Sequence, residues 1–205
     1  MPSLIVIGGP NGSGKTTLTT YLIQKGRIKS PVINPDEIAF KELGSYHFQF
    51  KAARIALDRR KEAITSNSDI AFETTFSGNT EINDILSAKA AGYKLILYYV
   101  ALRSVLDNII RVEQRITNAG HDVEIEDISR RYSKSKLNLE KYIDLFDKAY
   151  LFDNSGSMYS RVAIFGNGKL LWPNEKHENH PFYKNLIKDN YPPPPLNPLP
   201  TPPPQ

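Results

Sequence analysis

Apolar runs and amphipathic stretches alternate along the first 170 residues. Residues 4–9, LIVIGG, form a continuous apolar run closed by glycines, as a strand buried on both faces would. A helix follows over about 15–25. PVINPD (31–36) reads as a second short strand ended by a turn. Residues 46–66 are periodic as a helix, with Phe50, Ala53, Leu57 and Ile64 on about one face. DIAFETT (69–75) is a third strand, and 79–91 a helix that Gly92 closes. KLILYYVAL (94–102) is a fourth strand. Two helices, about 104–118 and 125–148, are broken at AGHDV, and AYLFDN (149–154) is a fifth strand. RVAIFGNGKLLW then reads as a hairpin around Asn167 and Gly168. Strands alternating with helices predict an α/β fold, a mostly parallel five-stranded sheet with helices on both faces and a C-terminal hairpin.

The pattern changes near residue 173. From Pro173 on the sequence carries eleven of the 15 prolines, and it closes there with YPPPPLNPLPTPPPQ. Proline lacks an N–H and favours an extended, solvated chain. This predicts one domain over 1–172 and a Pro-rich disordered tail over 173–205. His177 and His180 fall in that tail at i, i+3, without a third ligand to make a metal site.

Composition narrows the classes further. The 205 residues suffice for one well-buried domain. The formal charge of +4 fits an anionic nucleotide as well as a nucleic-acid partner, but no Lys/Arg run or aromatic-interleaved basic patch marks a nucleic-acid surface. The absence of cysteine excludes a disulfide framework, a thiolate metal site and a Cys nucleophile. The apolar run at 4–7 is too short for a signal or membrane segment, so a cytoplasmic enzyme without a membrane partner is expected.

In that setting GGPNGSGKTT (8–17) carries the first chemistry. Gly9, Pro10, Asn11, Gly12, Ser13, Gly14, Lys15 and Thr16 satisfy G-x-x-x-x-G-K-[ST], between a strand and a helix start, with Thr17 next. Backbone N–H groups of such a loop point at phosphate oxygens, and the helix adds its positive end. Lys15 is expected on the β- and γ-phosphates of ATP, and the Thr16 hydroxyl on Mg²⁺.

The ends of the next two strands add carboxylates and hydroxyls. Asp36 is the candidate base for an acceptor hydroxyl, or else the cap of a helix beginning near Glu37. Glu73 is placed to orient substrate or the water shell of Mg²⁺; Thr74 and Thr75 contact substrate or pack the strand end. Between the fourth and fifth strands, Arg111, Arg115, Arg130 and Arg131 flank the AGHDV break that holds His121. A helix–break–helix unit with arginines is what a kinase lid requires. The alternative is a solvated surface with Arg111 paired to Asp107 and Arg130 to Glu126.

The ordered set GGPNGSGKTT, INPDEIAF, FETTFSG, RVEQRITNAGHDV with ISRRY, and FDNS resembles the zeta-toxin family of P-loop kinases, in its short, stand-alone branch, over about residues 4–155. The resemblance implies Asp36 as base, Lys15 and Thr16 on ATP–Mg²⁺, Glu73 on the acceptor and lid arginines on the γ-phosphate. It also implies UDP-N-acetylglucosamine as first candidate acceptor and a small antitoxin as partner. Arg111 or Arg115 stands for the first lid arginine and Arg130 or Arg131 for the second, with His121 near the latter's place. Two other functions fit a phosphate loop: a nucleotide-dependent regulatory protein, and a polynucleotide 5′-hydroxyl kinase.

Overall fold

The computed structural model describes residues 1–116 and 124–190, the side chains of Arg115 and Ile116 excepted. Seven strands form one sheet: β1 (Ser3–Gly8), β2 (Val32–Ile33), β3 (Ile70–Thr74), β4 (Lys94–Ala101), β5 (Lys148–Asp153), β6 (Ser160–Gly166) and β7 (Lys169–Pro173). Their order is β2-β3-β1-β4-β5-β6-β7. The first five are parallel, as their apolar runs predict, and the hairpin β6–β7 continues the same sheet antiparallel to β5. Asn167 and Gly168 take φ values of 49° and 74° in its turn.

The described helices are α1 (Lys15–Gln24), α2 (Pro35–Glu37), α3 (Gln49–Thr65), α4 (Asn79–Ala90), α5 (Val105–Ile116), α6 (Ile125–Tyr142) and α7 (Lys184–Asn190). One face of the sheet packs Leu4, Val6, Phe72, Leu97, Tyr99 and Leu151 against α4, α6 and α7. The other face packs Ile5, Ile7 and Val100 against Leu18 and Leu22 of α1.

Two expectations are corrected. Phe50 is 95% exposed, and α3 buries Ala52, Ala56 and Arg60 instead of the face through Phe50 and Ala53. The reason is a buried ion pair: Arg60 Nε lies 2.6 Å from Asp84 Oδ2 on α4, both side chains almost wholly buried, with the guanidinium over the Phe72 ring. A charged residue thus holds the inner face where an apolar pattern was sought.

The fold also continues past residue 172, to Asn190. Phe182, Tyr183, Leu186 and Ile187 are buried in the main core, and Tyr183 donates to the Phe152 carbonyl at 2.9 Å. His177 and His180 converge on the buried Asp153 at the end of β5, at 3.6 and 3.4 Å. Burial acts to raise the Asp153 carboxyl, yet His180 and Ser155 hold it well below the usual range. Among the described residues no helix is long and apolar enough to cross a membrane.

Candidate active site

The phosphate loop lies between β1 and α1, with its glycines taking backbone angles that other residues avoid: φ is 147° at Gly9, 73° at Gly12 and 99° at Gly14. A side chain at Gly12 would run into the Asn108 carbonyl, and one at Gly14 into the Asn154 amide. These close approaches come from three braces that reach the loop from afar. Asn108 of α5 donates to the Asn11 carbonyl. Asn154, just past β5, donates to the Ser13 carbonyl at 2.9 Å. The Tyr159 hydroxyl donates to the Gly14 carbonyl at 2.7 Å. Short sequence motifs carry no trace of such contacts, except that FDNS contains Asn154.

A cleft of about 370 Å³ opens over the loop. Gly12, Gly14, Lys15, Thr16 and Thr17 line it, together with Asp36, Glu73, Thr74, Thr75, Arg111 and Arg131. Three separate strand ends therefore converge on one space, as carboxyl ends of parallel strands do. Lys15 folds back, its Nζ donating to the Pro10 carbonyl at 3.0 Å. Asn11 Oδ1, Ser13 Oγ and Asn108 Oδ1 are buried without a hydrogen-bond partner, a cluster of unmet polar atoms around the loop.

Asp36 does not serve as a cap. Asn34 does: its side chain accepts from the Asp36 N–H at 2.9 Å, and Pro35 takes the first helical position. The Asp36 carboxylate is exposed to the cleft and has no hydrogen bond or ion pair among the described residues.

Glu73 is bound on the α1 side. Its carboxylate accepts from Thr16 Oγ1 at 3.0 Å and from Thr19 Oγ1 at 2.7 Å. Burial pushes its carboxyl above the ordinary range, against the pull of Thr19, Lys15 and Thr16. A buried carboxylate beside the loop threonine is a hard-oxygen set that suits Mg²⁺. Of the two roles expected for Glu73, this geometry favours the metal's shell over acceptor contact. Because the folded value is raised, the stability Glu73 contributes is present below its ordinary pKa and lost as pH rises through the folded one. Glu73→Gln should therefore raise the melting temperature of the nucleotide-free protein at neutral pH. It should also cost about 10–100-fold in Mg²⁺-supported activity. Thermal melts at pH 7 with and without Mg²⁺–ATP check both halves.

Thr74 Oγ1 accepts from the Phe76 N–H at 2.8 Å, and the Thr75 hydroxyl pairs with that of Ser77 at 2.8 Å. Arg111 donates to the Asn154 carbonyl at 2.8 Å instead of pairing with Asp107. Arg130 and Arg131 both pair with Asp127, not Glu126, and of the two only Arg131 lines the cleft. The Arg115 side chain and His121 lie outside the described residues. Glu81, an acidic residue in the first turn of α4, lines the cleft and was not singled out in sequence. Beyond Pro35 and Glu81 a second cleft of about 450 Å³ continues along α3, lined by Ala53, Arg54, Leu57 and Lys61. Ala53 and Leu57, two of the four residues expected on one face of α3, thus face this cleft.

The zeta-toxin family profile matches residues 1–177. An uncharacterized protein of Haemophilus influenzae is 30% identical over 126 residues, 60% of this chain and 88% of that protein. A 5-hmdU DNA kinase of Delftia phage PhiW-14 is 22% identical over 178 residues, 70% of this chain and 65% of the kinase. The crystal structure of AvrRxo1-ORF1:-ORF2 with ATP matches with a TM-score of 0.66 at 21% identity, over 88% of this chain and 64% of that one. The chain thus spans just under two thirds of the length of each of the last two.

Proposed function

From a chain that belongs to the zeta-toxin family of P-loop kinases, we infer an ATP-dependent phosphotransferase that moves the γ-phosphate to a hydroxyl of a small anionic metabolite. The observation that carries this reading is the Asp36 carboxylate, unpaired among the described residues and sharing one cleft with the phosphate loop. Asp36 takes the proton of the acceptor hydroxyl as its oxygen attacks the γ-phosphorus, and ADP leaves in line. Lys15 swings from the Pro10 carbonyl to the phosphates. Arg111 and Arg131 supply positive charge over the moving phosphoryl group. Thr16, with Glu73 behind it, would hold Mg²⁺, which would neutralise phosphate charge when bound.

The second cleft supports an anionic acceptor. Its cations Arg54 and Lys61 stand on α3 beyond Asp36, beside apolar Ala53 and Leu57, with the carboxylates of Asp58 and Glu81 also in the lining. UDP-N-acetylglucosamine is the first candidate: a diphosphate for the cations and a sugar hydroxyl for Asp36. A small antitoxin partner is part of the same proposal.

The test is incubation with Mg²⁺, γ-labelled ATP, a panel of UDP-sugars and a 5′-hydroxyl oligonucleotide. Label on a UDP-sugar, absent with Asp36→Asn, is the expected result. Label on the oligonucleotide would replace the small-metabolite reading with the polynucleotide one. ATP binding without transfer to any acceptor offered would remove the acceptor assignment made here.

A further inference from the structure

The sheet face that carries α1 is covered only in part. Strand register aligns Tyr98, Tyr150, Ile164 and Trp172 across β4, β5, β6 and β7, so their side chains form one row on that face. Tyr98 is nearly buried beside α1, Tyr150 and Ile164 are half-buried, and Trp172 is 42% exposed. The rings of Tyr98 and Tyr150 stack, with centroids 5.1 Å apart and planes 12° apart. A groove of about 840 Å³ runs over Tyr98 and Tyr150 of this row, walled by Tyr21, Phe152 and Tyr159, and Ile164 and Trp172 carry the row on from it to the edge strand. Lys25, Arg27 and Arg161 line it as well, and none of the three meets a carboxylate among the described residues.

We propose that residues 191–205, YPPPPLNPLPTPPPQ, dock in this groove as a polyproline II strand. Reach permits it. Helix α7 packs on β7, the edge strand of the sheet, so the chain past Asn190 starts at the border between the two faces. Fifteen residues at about 3.1 Å each span about 45 Å. Rounding one sheet edge, about 10 Å, and crossing three strand spacings of about 4.8 Å uses little more than half of that.

The chemistry matches in both directions. Nine of the fifteen residues are proline, so the segment offers many carbonyl acceptors, few N–H donors and no charged side chain. The groove offers the reverse: tyrosine hydroxyls, an ammonium and two guanidinium groups as donors, over aromatic faces of the kind that bind proline-rich strands. A second copy of the chain is a poorer occupant, because a two-fold contact over this groove would set its cations against their own copies. The covalent link also supplies an effective concentration on the order of millimolar, so a weak contact suffices to fill the groove.

Trp172 is the only tryptophan in the chain and stands at the outer end of the row. The experiment reads its emission and its quenching by acrylamide in the full-length protein and in a full-length variant with Pro192, Pro193, Pro194 and Pro195 all changed to Ser. Docking predicts that emission shifts to the red in the variant and that quenching becomes steeper. A free peptide of residues 191–205, added to the variant, should reverse both changes with saturation, and Tyr150→Ala in the same background should abolish that reversal. Equal emission and quenching in the two proteins, with no response to the peptide, would overturn the proposal. So would protection of Trp172 that follows protein concentration, which assigns the groove to a second copy. Saturable quenching by an oligonucleotide, with no response to the peptide, would assign it to nucleic acid and overturn the proposal too. No nucleotide or acceptor is added, so the outcome is independent of the kinase reading.

Discussion

Asp36→Asn is expected to lower kcat by on the order of 10²–10⁴ while leaving ATP affinity unchanged. The amide keeps the shape of the carboxylate but cannot take a proton at neutral pH. Its neighbours give little reason for a structural effect. The backbone N–H of Asp36 is held by Asn34, and the side chain holds nothing among the described residues. Strand β2, which precedes it, lies one strand away from β1 and its loop, so the ATP phosphates should bind as before. Single-turnover transfer and direct titration with ATP separate the two quantities. Turnover equal to that of the unaltered protein would take Asp36 out of the mechanism.

The largest effect on stability is expected at Asp84. Its carboxylate neutralises Arg60 inside the packing of α3 against α4, with side-chain exposures of 7% and 3%. Asp84→Ala leaves a guanidinium buried without its counter-charge, at a cost of about 3–5 kcal/mol. For a chain of this size that lowers the melting temperature by about 6–20 °C. Replacing both members, Arg60→Met with Asp84→Leu, should recover most of the loss, since no buried charge then remains. Denaturant unfolding of the single and double variants decides this: equal losses would mean that packing, not charge, dominates the site.

Much of this architecture was legible in the sequence, for physical reasons that differ from element to element. Strands β1, β3 and β4 are buried on both faces over most of their length, so each appears as an apolar run, while β5 is apolar although one of its faces is only half-buried. The glycines of the loop are required by positive φ, so the motif and its geometry are one statement. Contacts that join distant segments left no such mark. Asn108, Asn154 and Tyr159 reach the loop only because the sheet brings the segments next to β4, β5 and β6 toward it, and Asn or Tyr in a helix or loop has many other uses. The carboxylate of Glu73 could be located at a strand end, but not its turn toward Thr16 and Thr19. Arg60 was unreadable as a core residue because a charge is buried only with its partner, 24 positions away. Residues 174–190 were hidden by composition. Their charges and the prolines beyond them outweigh Phe182, Tyr183, Leu186 and Ile187, which together close the core.

The braces on the phosphate loop bear also on how the protein is made. A ribosome releases the loop sequence long before Asn108, Asn154 and Tyr159, which follow it in the chain. A nascent chain that ends near residue 107 holds the whole phosphate-binding motif and none of the three contacts that fix its shape. The motif therefore emerges first and is completed last, once β5 and β6 have left the exit tunnel and joined the sheet. The nucleotide site is finished only when nearly the whole fold is.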